Sequence, residues 1–96
     1  MDTKPLTWKA TVTGLVQGVY FRAFTREAAA ELKIRGWVRN MPDGSVQALM
    51  QHEDESQLAA LIARLRQGPP ASRVAHVSFE PVECDEVYES FEIVRG

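Results

Sequence analysis

Apolar and polar positions alternate at the start of the chain. Trp8, Ala10 and Val12 take turns with Lys9, Thr11 and Thr13, which predicts a half-buried strand over residues 6–13. Gly14-Leu15-Val16-Gln17-Gly18 then breaks the alternation. Over residues 21–32 the period becomes helical, with Phe21, Phe24, Ala28 and Leu32 on one side and Arg26, Glu27 and Glu31 elsewhere. A second strand is predicted over residues 34–40. In Met41-Pro42-Asp43-Gly44 a fixed φ, an Asx-type bond and a permissive φ follow one another, which makes a turn. Val46, Ala48 and Met50 alternate with Gln47, Leu49 and Gln51, completing a hairpin. Residues 54–66 predict a second helix, with Leu58, Leu61, Ile62 and Leu65 at spacings of three and four. Asp54 or Ser56 can cap its start, and Gly68-Pro69-Pro70 stops it. Residues 73–82 predict a fourth strand around Val77 and Phe79. Cys84-Asp85-Glu86 is a polar connection, and Phe91 and Ile93 suggest a last short strand.

This order places the chain in the α+β class. It predicts a ferredoxin-like βαββαβ sandwich: an antiparallel sheet in the order 4-1-3-2, a short extra C-terminal strand, and two helices on one face. No linker, repeat or low-complexity tract interrupts it, so residues 1–96 are expected to form one domain. In such a sheet the first two strands are parallel, with the third between them, and their ends lie on one edge roughly 10 Å apart. The glycine loop leaves strand one at that edge, and Asn40 ends strand two there. The first helix starts there too, with Arg22 in its opening turn. Val38 should face the helices, so Asn40, two residues on, should point the same way, while Trp37 and Arg39 face the other side. Three segments distant in sequence thus converge on one patch.

Composition adds limits. Ninety-six residues hold one modest core and leave no room for two domains. With 45% hydrophobic and 25% charged residues, the chain does not have the make-up of a disordered tail. Eleven Lys+Arg against 13 Asp+Glu give a net charge of −2. That excludes a nucleic-acid binder driven by bulk charge and leaves a local basic site open. No apolar run approaches the roughly 20 residues of a membrane span, and Met1-Asp2-Thr3-Lys4-Pro5 lacks a secretory layout. A single cysteine, Cys84, allows neither an internal disulfide nor a cysteine-built metal cage, and it fits a reducing cytoplasm.

The convergent patch suits an anion. The loop of Leu15, Val16, Gln17, Gly18, Val19, Tyr20 and Phe21 holds no acidic residue and runs into a helix N-terminus. There the first amides lack partners and the dipole is positive. Several N–H groups can turn inward as a nest, and Arg22 adds a planar fork that matches phosphate oxygens. The same residues could also form a plain tight turn followed by an exposed arginine. The GK[ST] ending of a P-loop is absent, and Val16 stands where a phosphatase cysteine would precede the arginine. Asn40 is no general base, but its amide can accept from a water and hold it for in-line attack. It could equally be a strand-ending turn residue. Thr11, Thr13, Thr25 and Ser45 are further hydroxyl candidates. His52 and His76 lie far apart in the pattern and suggest no metal. Glu53, Asp54 and Glu55 complement a helix start.

Gly14-Leu15-Val16-Gln17-Gly18-Val19-Tyr20-Phe21-Arg22 resembles the acylphosphatase signature G-x-V-Q-G-V-x-[FY]-R. Gly36-Trp37-Val38-Arg39-Asn40, followed by Gly44-Ser45-Val46, resembles that family's second signature. The likeness runs on through Gly68-Pro69-Pro70 to Phe91-Glu92-Ile93. It implies hydrolysis of the carboxyl–phosphate bond of acylphosphates, with Arg22 binding the phosphoryl group and Asn40 orienting water. It implies that the backbone N–H groups of Leu15, Val16, Gln17, Gly18, Val19, Tyr20 and Phe21 form the cradle, without metal or cofactor. Inorganic phosphate is then both product and competitive inhibitor. One departure is Lys33, where many members carry glycine at the end of the first helix.

A carboxylate is already a good leaving group, so such a reaction needs no general acid. Its loose transition state is served by positioning and electrostatics. The main rival is a non-catalytic ferredoxin-like module that binds a ligand or RNA. The acidic balance and an open sheet face of Lys9, Thr11, Gln47, Leu49 and Trp37 speak against RNA. A fragment related to hydrogenase-maturation proteins, which begin with a similar domain, is disfavoured by the length, and a vestigial scaffold is disfavoured by intact Arg22 and Asn40. A monomer is expected.

Overall fold

The alternating and helical periods found above become five strands and two helices in a computed structural model, which describes residues 4–95. Met1–Thr3 and Gly96, including most of the segment read for a secretory layout, lie outside the described residues. The elements are β1 (Leu6–Leu15), α1 (Phe21–Glu31), β2 (Arg35–Asn40), β3 (Val46–His52), α2 (Glu55–Gln67), β4 (Arg73–Pro81) and β5 (Phe91–Ile93). The sheet order is β4-β1-β3-β2-β5. The first four strands pair antiparallel in the anticipated order. β5 adds to the β2 edge and runs parallel to β2, so the sheet is mixed.

The helix-facing side of the sheet is apolar because the period-2 pattern puts Ala10, Val12, Val38, Val46, Ala48 and Met50 there, all almost fully buried. Leu58, Leu61, Ile62 and Leu65 of α2 and Phe21, Ala28 and Ala29 of α1 cover them. Leu to Ala at such a position removes about 2–5 kcal/mol, so this layer carries the fold. Asp54 caps α2, accepting from the Ser56 backbone N–H at 2.9 Å, and Gly68 ends the helix at φ 65°. α1 ends differently. The N–H of Ile34 donates to the Ala29 carbonyl at 2.8 Å and that of Lys33 to the Ala30 carbonyl at 3.2 Å, with Lys33 left-handed at φ 59°. This is the paired-bond closure that usually takes glycine.

The other face of the sheet is less open than the alternation predicts. Leu49 and Gln51, expected among its outward positions, are buried at 7% and 0% exposure. The reason is the connection from β4 to β5. To pass from one sheet edge to the other it crosses β1, β3 and β2 in turn. Val82 donates its N–H to the Thr7 carbonyl, and the Gln51 amide donates to the Glu86 carbonyl at 2.7 Å. That same amide accepts from the Tyr88 N–H at 2.9 Å, and the Trp37 indole donates to the Tyr88 hydroxyl at 3.2 Å. Gly36 closes the crossing by donating to the Ser90 carbonyl at 3.0 Å. A chain that crosses one end of the sheet must turn back along it, which makes β5 antiparallel to β4 and so parallel to β2.

Candidate active site

β1 outruns its partner β3. Its pairing with β3 stops at Val12 opposite Val46, whereas its pairing with β4 continues to Leu15 opposite Arg73. The register shifts between Thr13 and Gly14, an irregularity of the kind that bends a strand. Gly14 has φ 120°, and a Cβ there would strike the Arg73 carbonyl oxygen. Leu15 is therefore the last strand residue and points to solvent, while Val16 turns into the core at 1% exposure. Phe21 is buried as well, so the intervening turn is pinned at both ends.

Between these anchors the backbone alternates in hand. Gly18 has φ 76° and Tyr20 φ 64°, whereas Val19 and Phe21 keep negative φ. Tyr20 occupies the cap position of α1, with no side-chain cap bond and no acidic residue in the first turn. α2, by contrast, has both the Asp54 cap and Glu55. The opening amides of α1 thus have no carboxylate to complement them, and Arg22, the second residue of the helix, lies beside them.

Asn40 is the last residue of β2 and shares a face with buried Val38, as parity requires. Its Oδ1 is shielded from solvent and has no hydrogen-bond partner among the described residues. Arg22 and Asn40 line one cleft of about 380 Å³ together with Val16, Gly18, Tyr20, Phe21, Ala23 and Ile93. Among the described residues no carboxylate lines it. Of the loop residues expected to matter, Val16, Gly18, Tyr20 and Phe21 reach the cleft wall. Leu15, Gln17 and Val19 do not, although their backbones belong to the same turn.

The side chain of Gln17 has a separate task. Its amide N–H₂ donates to the carbonyls of Met41 and Ser45, each at 2.8 Å. These carbonyls belong to the β2–β3 turn that follows Asn40, so one glutamine fixes the loop against the strand end. The turn is stiff in its own right. Asp43 accepts from the Ser45 N–H at 2.9 Å and from its hydroxyl at 2.6 Å, bonds that hold the Asp43 carboxyl below its ordinary value. Ser45 is thereby committed, as is Thr25, whose hydroxyl donates to the Phe21 carbonyl at 2.8 Å, and Thr13, which donates to the His76 carbonyl. None of the three lines the cleft. His52 accepts from the Asp54 N–H, and among the described residues no three His, Cys, Asp or Glu side chains group as metal ligands.

Two wall residues escape a reading of local pattern. Ile93 lines the cleft from β5, and Arg95 joins it in an adjoining groove. Only the crossing connection, held by Gln51, brings them there. A long polar stretch between two short apolar pairs carries no signal of its path.

The fold and the cleft define a ferredoxin-like α+β sandwich with an arginine-bearing pocket where β1, β2 and α1 meet. A family model for acylphosphatases matches residues 8–93. A protein of Nitrosococcus oceani named acylphosphatase is 48% identical over 85 residues, 88% of this chain and 93% of its own length. The crystal structure of acylphosphatase from Bacillus subtilis superposes with a TM-score of 0.88 at 35% identity, covering 93% of this chain and 98% of that one. An acylphosphatase structure from Coxiella burnetii gives 0.89 at 33% identity, covering 98% and 100%. The chain belongs to the acylphosphatase family of hydrolases.

Proposed function

We propose that this protein hydrolyses acylphosphates to a carboxylate and inorganic phosphate, with the phosphoryl group held by the turn of residues 15–21 and by Arg22. Alternating φ signs at Gly18, Val19 and Tyr20 are the conformation of an anion-binding nest, in which successive N–H groups face one point. The uncapped start of α1 adds its dipole. Arg22 supplies a full charge and two parallel donors. The observation that carries the mechanism is Asn40 Oδ1: a buried acceptor without a partner, in the cleft of Arg22. A buried amide oxygen left unsatisfied costs about 1–3 kcal/mol, and a water donating to it removes that cost.

That water attacks phosphorus from the side of Asn40. A bond forms between water oxygen and phosphorus as the bond from phosphorus to the acyl oxygen breaks, and the electron pair leaves with the carboxylate. No general acid is needed, because the departing carboxylate is stable at neutral pH. Among the described residues the cleft offers no side-chain base, so the water's proton passes to a phosphoryl oxygen of the substrate. Charge on those oxygens is met by fixed N–H dipoles and Arg22. No step calls for a metal.

Residues 1–96 act as one domain, a cytoplasmic monomer that needs neither nucleic acid nor membrane. Among the described residues no helix is long and apolar enough to cross a membrane. Release of phosphate from benzoyl phosphate in the presence of a chelator tests the assignment. Turnover is expected to persist with the chelator and to fall by about 10²–10³-fold in Arg22→Ala, with weaker phosphate binding. Metal-dependent turnover, or turnover indifferent to Arg22, contradicts it.

A further inference from the structure

The cleft does not end at the phosphoryl pocket. A second groove, about 610 Å³, shares Arg22, Asn40 and Ile93 with it and continues along Met41 and Pro42 to Arg95. Among the described residues no carboxylate lines either part, so the combined site presents two guanidinium groups in a chain whose net charge is −2. Among the described residues Arg95 takes part in no ion pair. The nearest acid in sequence, Glu92, accepts from the Ser90 hydroxyl at 2.6 Å and lies on the other side of β5 from Ile93. One guanidinium and the loop amides already meet the charge of a phosphoryl group, so the second has no role in the proposed hydrolysis.

The continuity of the two grooves gives it one. Asn40 Oδ1 is shielded from solvent, so a water held there lies on the inner side of the cleft. The acyl group of a bound acylphosphate must extend out of the phosphoryl pocket, and the second groove is contiguous with that pocket through Arg22, Asn40 and Ile93. An acyl group lying in that groove is flanked by Met41, Pro42, Ile93 and Arg95. We propose, building on the acylphosphate hydrolysis argued above, that this groove is an acyl-group subsite and that Arg95 selects acylphosphates carrying a second anionic group at the far end of a short hydrocarbon. Arg95 is exposed, so its pull on a carboxylate is modest and screened by salt.

The test compares two probes of one shape, 4-carboxybenzoyl phosphate and 4-methylbenzoyl phosphate. The quantity read is the ratio of their kcat/KM values, in the parent protein and in Arg95→Gln and Arg95→Lys. Taking the ratio within each variant and then between variants cancels the different chemical reactivity of the two probes. The ratio is expected to fall about threefold or more in Arg95→Gln, to be largely kept in Arg95→Lys, and to shrink for the parent in high salt. A ratio that changes less than twofold in Arg95→Gln overturns the subsite. Failure of the underlying hydrolysis shows separately, as parental turnover of 4-methylbenzoyl phosphate that is absent or indifferent to Arg22→Ala.

Discussion

Lys33 holds φ 59° at the end of α1, a conformation that costs a residue with a Cβ about 1 kcal/mol and glycine almost nothing. Its side chain is exposed, so nothing else compensates. Lys33→Gly is expected to stabilise the protein by about 0.5–1 kcal/mol, read by urea denaturation, with the rate on benzoyl phosphate unchanged. A loss of stability would mean that the cap depends on lysine contacts. The lysine stood out in the sequence only as a departure from the family that the chain resembles, many of whose members carry glycine at the end of that helix. Tyr20 did not, although its φ of 64° is as unusual, since its strain comes from the path of the loop and not from a helix end. Gln17 likewise looked like one more cradle residue. Its two bonds to Met41 and Ser45 depend on the β2–β3 turn lying beside the loop, and only the assembled sheet brings them together.

At the scale of elements, periodicity was enough for both helices and for β1 to β4, because each buries one face against a single partner layer. The meeting of β1, β2 and α1 followed from topology, so Arg22 and Asn40 could be placed together before any coordinates. The path of residues 82–90 could not. It is set by hydrogen bonds from Gln51, whose polar side chain reads as a solvent position on an open face yet is fully buried. Gln51→Ala leaves the Tyr88 N–H without its partner and the Glu86 carbonyl with only the weak Cys84 thiol as donor. We expect a loss of about 1–3 kcal/mol in stability, measured by denaturant titration. Because the crossing delivers β5, hydrogen exchange at Val94, whose N–H donates to Val38, should also quicken. Unchanged stability would show that the crossing holds itself in place.

Over the whole molecule, acid should act through three surface carboxylates. A bond from the Ser45 hydroxyl lowers Asp43, the Arg35 guanidinium lowers Glu53, and the Ser56 hydroxyl lowers Asp54. Each pKa lies below its unfolded value of 3.8 for Asp or 4.5 for Glu. The stability they add is therefore complete above those values and is lost as pH falls through the depressed ones. Tm should stay level down to the carboxylate range and drop below it, and Asp43→Asn should flatten part of that drop. A Tm that already falls near neutral pH would point to other groups. None of these three carboxylates lines the cleft, so this loss of stability is separate from the chemistry of the site. That chemistry rests on four segments brought to one end of the sheet, and its critical part is the unpartnered oxygen of Asn40. Asn40→Ala, assayed on benzoyl phosphate alongside phosphate titration by calorimetry, examines it most directly. The account predicts kcat lower by about 10²-fold or more with phosphate affinity nearly unchanged; parental kcat in that variant, or phosphate affinity lost along with rate, would contradict it.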